Sequence, residues 1–205
     1  MKTDFIAGKY ILMPEARTYA LGVEGLRQAS VERPFTFKEN LQARVEADES
    51  GDHQLFDTWL DSCTGIAYKA GTTKFKLIPA CAELIGINKD FSHSFLSVEY
   101  NTIAGVELDS STGKYNRLLT KAEILKHPAW HVLVEDDKTL LKAYTDIVFK
   151  AFASKYSSRD ELLGFYMREN TPTNELRAVF VHDLDYSSGA NGSGSLNGSG
   201  RFLRW

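Results

Sequence analysis

The sequence predicts one α+β domain, an antiparallel sheet with helices packed against it. Three observations predict it. Leu140, Leu141, Tyr144, Ile147, Val148, Phe149 and Phe152 form an apolar stripe about four turns long between Asp137 and Tyr156, which marks an amphipathic helix. Lys74 to Ile78 alternates charged with apolar residues, as a half-buried strand does, and Pro79 ends the run. With 205 residues, 43% of them hydrophobic, the chain is long enough to bury one full core.

In chain order, Phe5 to Pro14 reads as a strand stopped by Pro14. Phe37 to Ala47 reads as a helix, with Thr36 as its cap and Glu39 completing a capping box. Asp48, Glu49, Ser50, Gly51 and Asp52 form the turn to a second helix, which Asp52 caps. From Leu55 the apolar residues Phe56, Trp59, Leu60, Cys63, Ile66 and Ala67 recur at helical steps, predicting a helix to Tyr68 with that face in the core. Phe95 to Tyr100 is a further strand candidate, and Asp109 to Asn116 is a polar connection. Thr120 and Glu123 make another capping box, opening a short helix that Pro128 interrupts. The long helix after it is expected to pack on the sheet. Leu162 to Met167 and Leu176 to Val181 are the last strand-like runs, divided by a turn at Asn170, Thr171, Pro172 and Thr173.

Charge and composition exclude several function classes. The 24 Lys and Arg residues nearly balance 27 Asp and Glu, a net of -3, so no global field favours nucleic acid or anionic lipid. Lys2, Asp4 and Lys9 interrupt the first ten residues and no window approaches 18 apolar residues, which predicts an intracellular protein without membrane insertion. Cys63 and Cys81 have neither zinc-finger nor CxxC spacing and are expected to be reduced core thiols. The glycines form no phosphate-binding pattern, and Gly22 and Gly25 carry no signal of their own.

Composition shifts abruptly after Val181. From Asp183 to Gly200 every residue is Asp, Tyr, Ser, Gly or Asn except Leu184, Ala190 and Leu196, which are spaced six apart. One reading is a natural or artificial Gly/Ser linker behaving as random coil, which Gly192 to Gly200 suits. Against it stand the regular apolar spacing and the closing run Arg201, Phe202, Leu203, Arg204 and Trp205, which can pair as a strand and anchor the segment at both ends. Tyr supplies rigid contact area and Ser, Gly and Asn adaptable hydrogen bonds, the vocabulary of antibody binding loops. Ser, Gly, Asp and Tyr are also the residues reached from an Asn codon by changing its adenines alone.

These residues, Asp183 through Gly200 with Leu184, Ala190 and Leu196 among them and Arg201, Phe202, Leu203 and Arg204 closing the run, resemble the variable proteins of diversity-generating retroelements. The resemblance implies a C-type-lectin-like fold whose C-terminal segment is diversified at adenines and displayed to a variable protein or surface ligand. It further implies Asp183, Asp185, Tyr186, Ser187, Ser188, Asn191, Ser193, Ser195, Asn197 and Ser199 as contact positions. Tyr186 is the expected anchor, since aromatic residues dominate binding hot spots. Leu184, Ala190 and Leu196 are expected to face the core.

Chemistry has weaker candidates. Cys63, in Asp61-Ser62-Cys63-Thr64-Gly65, suggests a hydrolase nucleophile with His93 as base, but a helical Cys63 on a buried face lacks what lowers a thiol pKa. His127 and His131 have a zinc-chelating spacing that Pro128 breaks. His182, Asp183 and Asp185 would alternate along a strand, His182 facing away from both acids. Calcium held by Asp183, Asp185 and Asn191 is the alternative to an expectation of no cofactor. The expectation is a non-catalytic binding module.

Overall fold

The computed structural model describes residues 4–6, 9–51 and 53–205. β1 (Asp4–Ile6) and β2 (Tyr10–Leu12) pair antiparallel where the sequence predicts one strand. α1 (Tyr19–Gln28) starts at Thr18, whose hydroxyl accepts from the Leu21 N–H. Sequence reading missed it because Gly22 and Gly25 interrupt its apolar face. α2 (Phe37–Glu49) carries the expected Thr36 and Glu39 capping box. Gly51 turns the chain after it at φ 79°, and the cap expected from Asp52 lies outside the described residues.

Next come β3 (Leu60–Tyr68), β4 (Lys74–Ile78), α3 (Ala82–Ile85), β5 (Leu96–Ser97) and β6 (Val106–Asp109). β7 (Leu119–Thr120), α4 (Lys121–Ile124), α5 (Pro128–Leu133) and α6 (Lys138–Lys155) follow. The chain closes with β8 (Glu161–Leu162), β9 (Phe165–Tyr166), β10 (Glu175–Val181), β11 (Ala190–Asn191) and β12 (Leu203–Arg204).

Leu60–Tyr68 corrects the helix expected there, since every residue of β3 is buried in a strand. The physical reason is its place in the sheet, whose order is β6, β4, β3, β10, β11, β9, with β5 also on β10. Ile66 and Tyr68 enter one core with Phe37, Leu41, Trp130 and Tyr144, whereas Ala67 enters another with Tyr19, Leu26, Leu84 and Phe202. A strand covered on both faces loses the polar alternation that would reveal it. All pairs in this sheet are antiparallel except β11 with β9.

α6 forms where the stripe predicts a helix and is capped by Asp137, but it packs on α2 and α5 more than on the sheet. Fully buried Arg44 on α2 sits at this crossing, where its guanidinium donates to the Tyr144 hydroxyl and to the Thr58 and His182 carbonyls, each at 2.8 Å. At the other end, β12 pairs with β2. Trp205 then lies against Tyr10 and Phe35 at ring separations of 4.9 and 5.1 Å. Gly22 has a packing role after all, because a Cβ there would fall 2.2 Å from the Phe202 ring.

Candidate ligand-display face

The Asp183–Gly200 segment is built into the sheet and is no loose linker. Leu184, Ala190 and Leu196 are all buried, at 3%, 0% and 1% exposure. Between them the backbone is tied repeatedly to the scaffold. The Ala190 and Gly192 N–H groups donate to the Gly164 and Tyr166 carbonyls, and the Leu196 N–H donates to the Ser94 carbonyl, each at 2.9 Å. The Tyr68 hydroxyl donates to the Gly192 carbonyl at 2.9 Å, and Gly200 exchanges bonds with Ala16. Buried Arg177, paired with buried Glu175 at 2.9 Å, donates to the Gly194 carbonyl at 2.8 Å and to the Ser94 carbonyl at 3.2 Å. Hydrogen bonds to a charged donor are the stronger kind, so this arginine pins the middle of the segment to β10.

The predicted contact positions separate into groups. Asp185, Ser195, Asn197 and Ser199 are exposed, while Asp183, Asn191 and Ser193 are half-buried. Ser187 and Ser188 correct the expectation, being buried at 6% and 0%. They occupy left-handed backbone at φ 66° and 52°, reversing the chain between a short 3-10 turn (Leu184–Tyr186) and β11, and the Ser188 carbonyl accepts from the Tyr144 hydroxyl at 3.1 Å. The Tyr186 side chain, expected as the anchor, lies outside what the structure describes. Gly192 is held to glycine by close approach, since a Cβ would come 2.7 Å from the Ile66 side chain.

Several of these side chains are already engaged. The Asn191 amide donates to His182 Nε2 at 3.0 Å and its oxygen accepts from the Ser193 N–H and hydroxyl, both at 2.7 Å. Asp185 takes the Lys155 ammonium at 3.0 Å and the Tyr156 hydroxyl, and these partners lower its pKa, the Tyr156 hydrogen bond most. β10 ends at Val181, so His182, Asp183 and Asp185 do not alternate along a strand. His182 and Asp183 line one hollow together, which corrects the expectation that His182 turns away from both acids. Burial lowers the His182 pKa.

Two concavities flank His182. A cleft of about 380 Å³ runs between Trp59, Asp61, Phe180 and His182 and the rim residues Ser195 and Ser199. A shallower hollow of about 500 Å³ lies among Asn116, Arg159, Tyr166, His182, Asp185 and Asn191. Trp59, Asp61, Phe180, Asn116, Arg159 and Tyr166 all escaped sequence reading. For Trp59 and Asp61 the reason is the false helix, and Gly65 inside that run was the available warning, since an interior glycine costs a helix about 1 kcal/mol. The calcium candidates divide between the hollows, Asp183 lining the cleft and Asp185 and Asn191 the other.

The other chemical candidates have local partners. Cys63 is fully buried on β3, its thiol donates to the Pro34 carbonyl at 3.1 Å, and burial pushes its pKa up to about 11. His93 is exposed and packs edge-on against Phe91. His127 precedes α5 with its ring on the Lys114 carbonyl, whereas His131 engages the Leu125 carbonyl. Among the described residues no three His, Cys, Asp or Glu side chains gather as a metal site, and no helix is long and apolar enough to cross a membrane.

No family model matches the sequence, and no curated protein matches it. A solved structure does match in three dimensions, with a TM-score of 0.66 over 92% of this chain and 94% of that chain at 14% identity. It is described as the C-type lectin fold accommodating massive sequence variation in Nanoarchaeota. The chain has the C-type lectin fold. In this lectin fold the curled, mostly antiparallel sheet carries the C-terminal segment beside β10 and β9.

Proposed function

We propose that this lectin-fold chain is a non-catalytic binding module of a diversity-generating retroelement, whose C-terminal segment meets a protein or other surface ligand. The observation that carries the reading is the division of labour along Asp183–Gly200. Leu184, Ala190 and Leu196 are buried in the cores, while Asp185, Ser195, Asn197 and Ser199 stand in solvent beside two concavities. Exposed positions tolerate exchange, most surface substitutions changing stability by less than about 0.5 kcal/mol. Half-buried Asp183, Asn191 and Ser193 would tune the same face. Small side chains at most exposed positions make this particular chain a weak binder, because few of them can fill a partner's pocket. The variation described for the structural neighbour and the Asn-codon logic of the segment support the same reading.

Sequencing this locus from many related cells tests it. Codons for Asp185, Ser195, Asn197 and Ser199 are expected to vary at positions templated by adenine, while those for Leu184, Ala190, Gly192 and Leu196 stay constant. An invariant segment overturns the reading.

A further inference from the structure

The cleft beside Trp59 holds a buried carboxylate that no cation in the described chain neutralises. Asp61 is 7% exposed and lines the cleft floor. Its Oδ2 accepts from the Arg201 N–H at 2.8 Å, and the Trp59 side chain also donates to it. The nearest guanidinium is committed elsewhere. That of Arg201 donates to the Thr58 hydroxyl at 2.7 Å, pairs with Glu15 at 2.9 Å and lies over the Trp59 ring at 5.0 Å. A second acid, Asp183, stands on the cleft wall, and no Lys or Arg contributes to the lining. Half-buried Trp59 and Phe180 supply aromatic surface beside the acids.

We propose that this cleft is a subsite for a positively charged side chain, arginine or lysine, of a protein partner. A volume of about 380 Å³ lies within the ordinary range of ligand sites, about 300–1,000 Å³. A guanidinium or ammonium entering it meets carboxylates in a low-dielectric wall and aromatic surface beside them, the two features that bind cations best. The incoming charge also offsets the desolvation cost of burying Asp61. Trp59, Asp61 and Phe180 come from the scaffold, whereas Ser195 and Ser199 come from the display segment. The Trp59, Asp61 and Phe180 part of the subsite therefore stays constant while Asp183 and the rim can change, so variants of different specificity would share the Asp61 preference for a cationic anchor. This inference does not require that the segment be diversified.

The test is a two-dimensional NMR titration of the full chain with the peptide acetyl-Gly-Gly-Arg-Gly-Gly-amide, its lysine counterpart, and a citrulline counterpart that keeps the shape but lacks the charge. The expected result is a shift of the Trp59 indole and Asp61 signals by the arginine or lysine peptide, with citrulline at least tenfold weaker. Asp61→Asn is expected to weaken the charged peptides at least tenfold while leaving the remaining spectrum native. Equal binding of arginine and citrulline peptides, or shifts that avoid Trp59 and Asp61, overturns the proposal, and this comparison needs no variant to fold. Codon variation in the display segment alongside an unshifted cleft would retain the display reading and remove this one. Invariant codons with charge-selective binding at Asp61 would do the reverse.

Discussion

Asp61 is a single side chain whose burial works against stability. Burial is the largest cause raising its pKa, from 3.8 to about 7, with the Arg201 and Trp59 N–H groups opposing. The folded value lies above the unfolded one, so between about pH 4 and pH 7 the folded state binds more protons and stability falls as pH rises through that window. Asp61→Asn, which has the same shape without the charge, is therefore expected to be more stable than the parent at pH 8 by up to about 4 kcal/mol, with the gain vanishing near pH 4. Thermal melts at the two pH values measure it, and a variant less stable at pH 8 would contradict it. The display segment offers a second contrast at this scale. Asn197→Tyr and Ser195→Tyr are expected to change unfolding free energy by less than about 0.5 kcal/mol, whereas Gly192→Ala costs about 1–3 kcal/mol through the Ile66 contact. Denaturant unfolding separates the two classes. The resemblance placed Ser187 and Ser188 among the contact positions, and nothing local signals that a left-handed turn and the Tyr144 hydroxyl pull them inward.

At the scale of elements, local signals were reliable where a capping box or a long apolar stripe marks a helix, and they missed α1, whose Thr18 cap precedes a face interrupted by Gly22 and Gly25. Thr36 with Glu39 and Thr120 with Glu123 cap the helices expected of them, and the long apolar stripe after Asp137 is a helix. The same reasoning failed on β3, whose two buried faces erase the period of two, and on the partner of α6, because a stripe says that a helix is covered but not by what. Buried arginines hold these elements together, Arg44 joining α2, α6 and the start of the display segment, and Arg177 fastening its middle. Arg177→Ala removes the 2.9 Å partner of buried Glu175, at 3% side-chain exposure, and leaves it only the Arg168 guanidinium at 4.0 Å. A loss of about 3–5 kcal/mol is expected. Hydrogen exchange of the Leu196 amide, which donates to the Ser94 carbonyl, is expected to speed up along with it, since Arg177 bridges both stretches. Unchanged protection there would show that the segment does not depend on Arg177.

For the whole molecule, the prediction concerns independence of binding and folding. A library randomised together at Asp185, Ser195, Asn197 and Ser199 is expected to unfold cooperatively, most members within about 1 kcal/mol of the parent, because exposed positions add nearly independently and the one contact within the set, the Ser195 hydroxyl on the Asn197 side chain, is itself exposed. Asp185 is the one with an existing ion pair, to Lys155, and an exposed pair of that kind contributes about 1 kcal/mol or less. Leu196→Ala in the same background is expected to cost about 2–5 kcal/mol. Melting temperatures across the library would sink the idea if the exposed set proved as costly as Leu196. By itself the sequence determined the α+β class, the capped helices, the three buried anchors six apart and the abrupt change of composition after Val181, since each depends on residues near in the chain. Only the tertiary structure decided that Leu60–Tyr68 is a doubly covered strand, that Ser187 and Ser188 turn inward, and that Trp59, Asp61 and Phe180 share a cleft with Ser195 and Ser199. Those facts depend on which distant segments come to lie together, and burial and desolvation are properties of that arrangement.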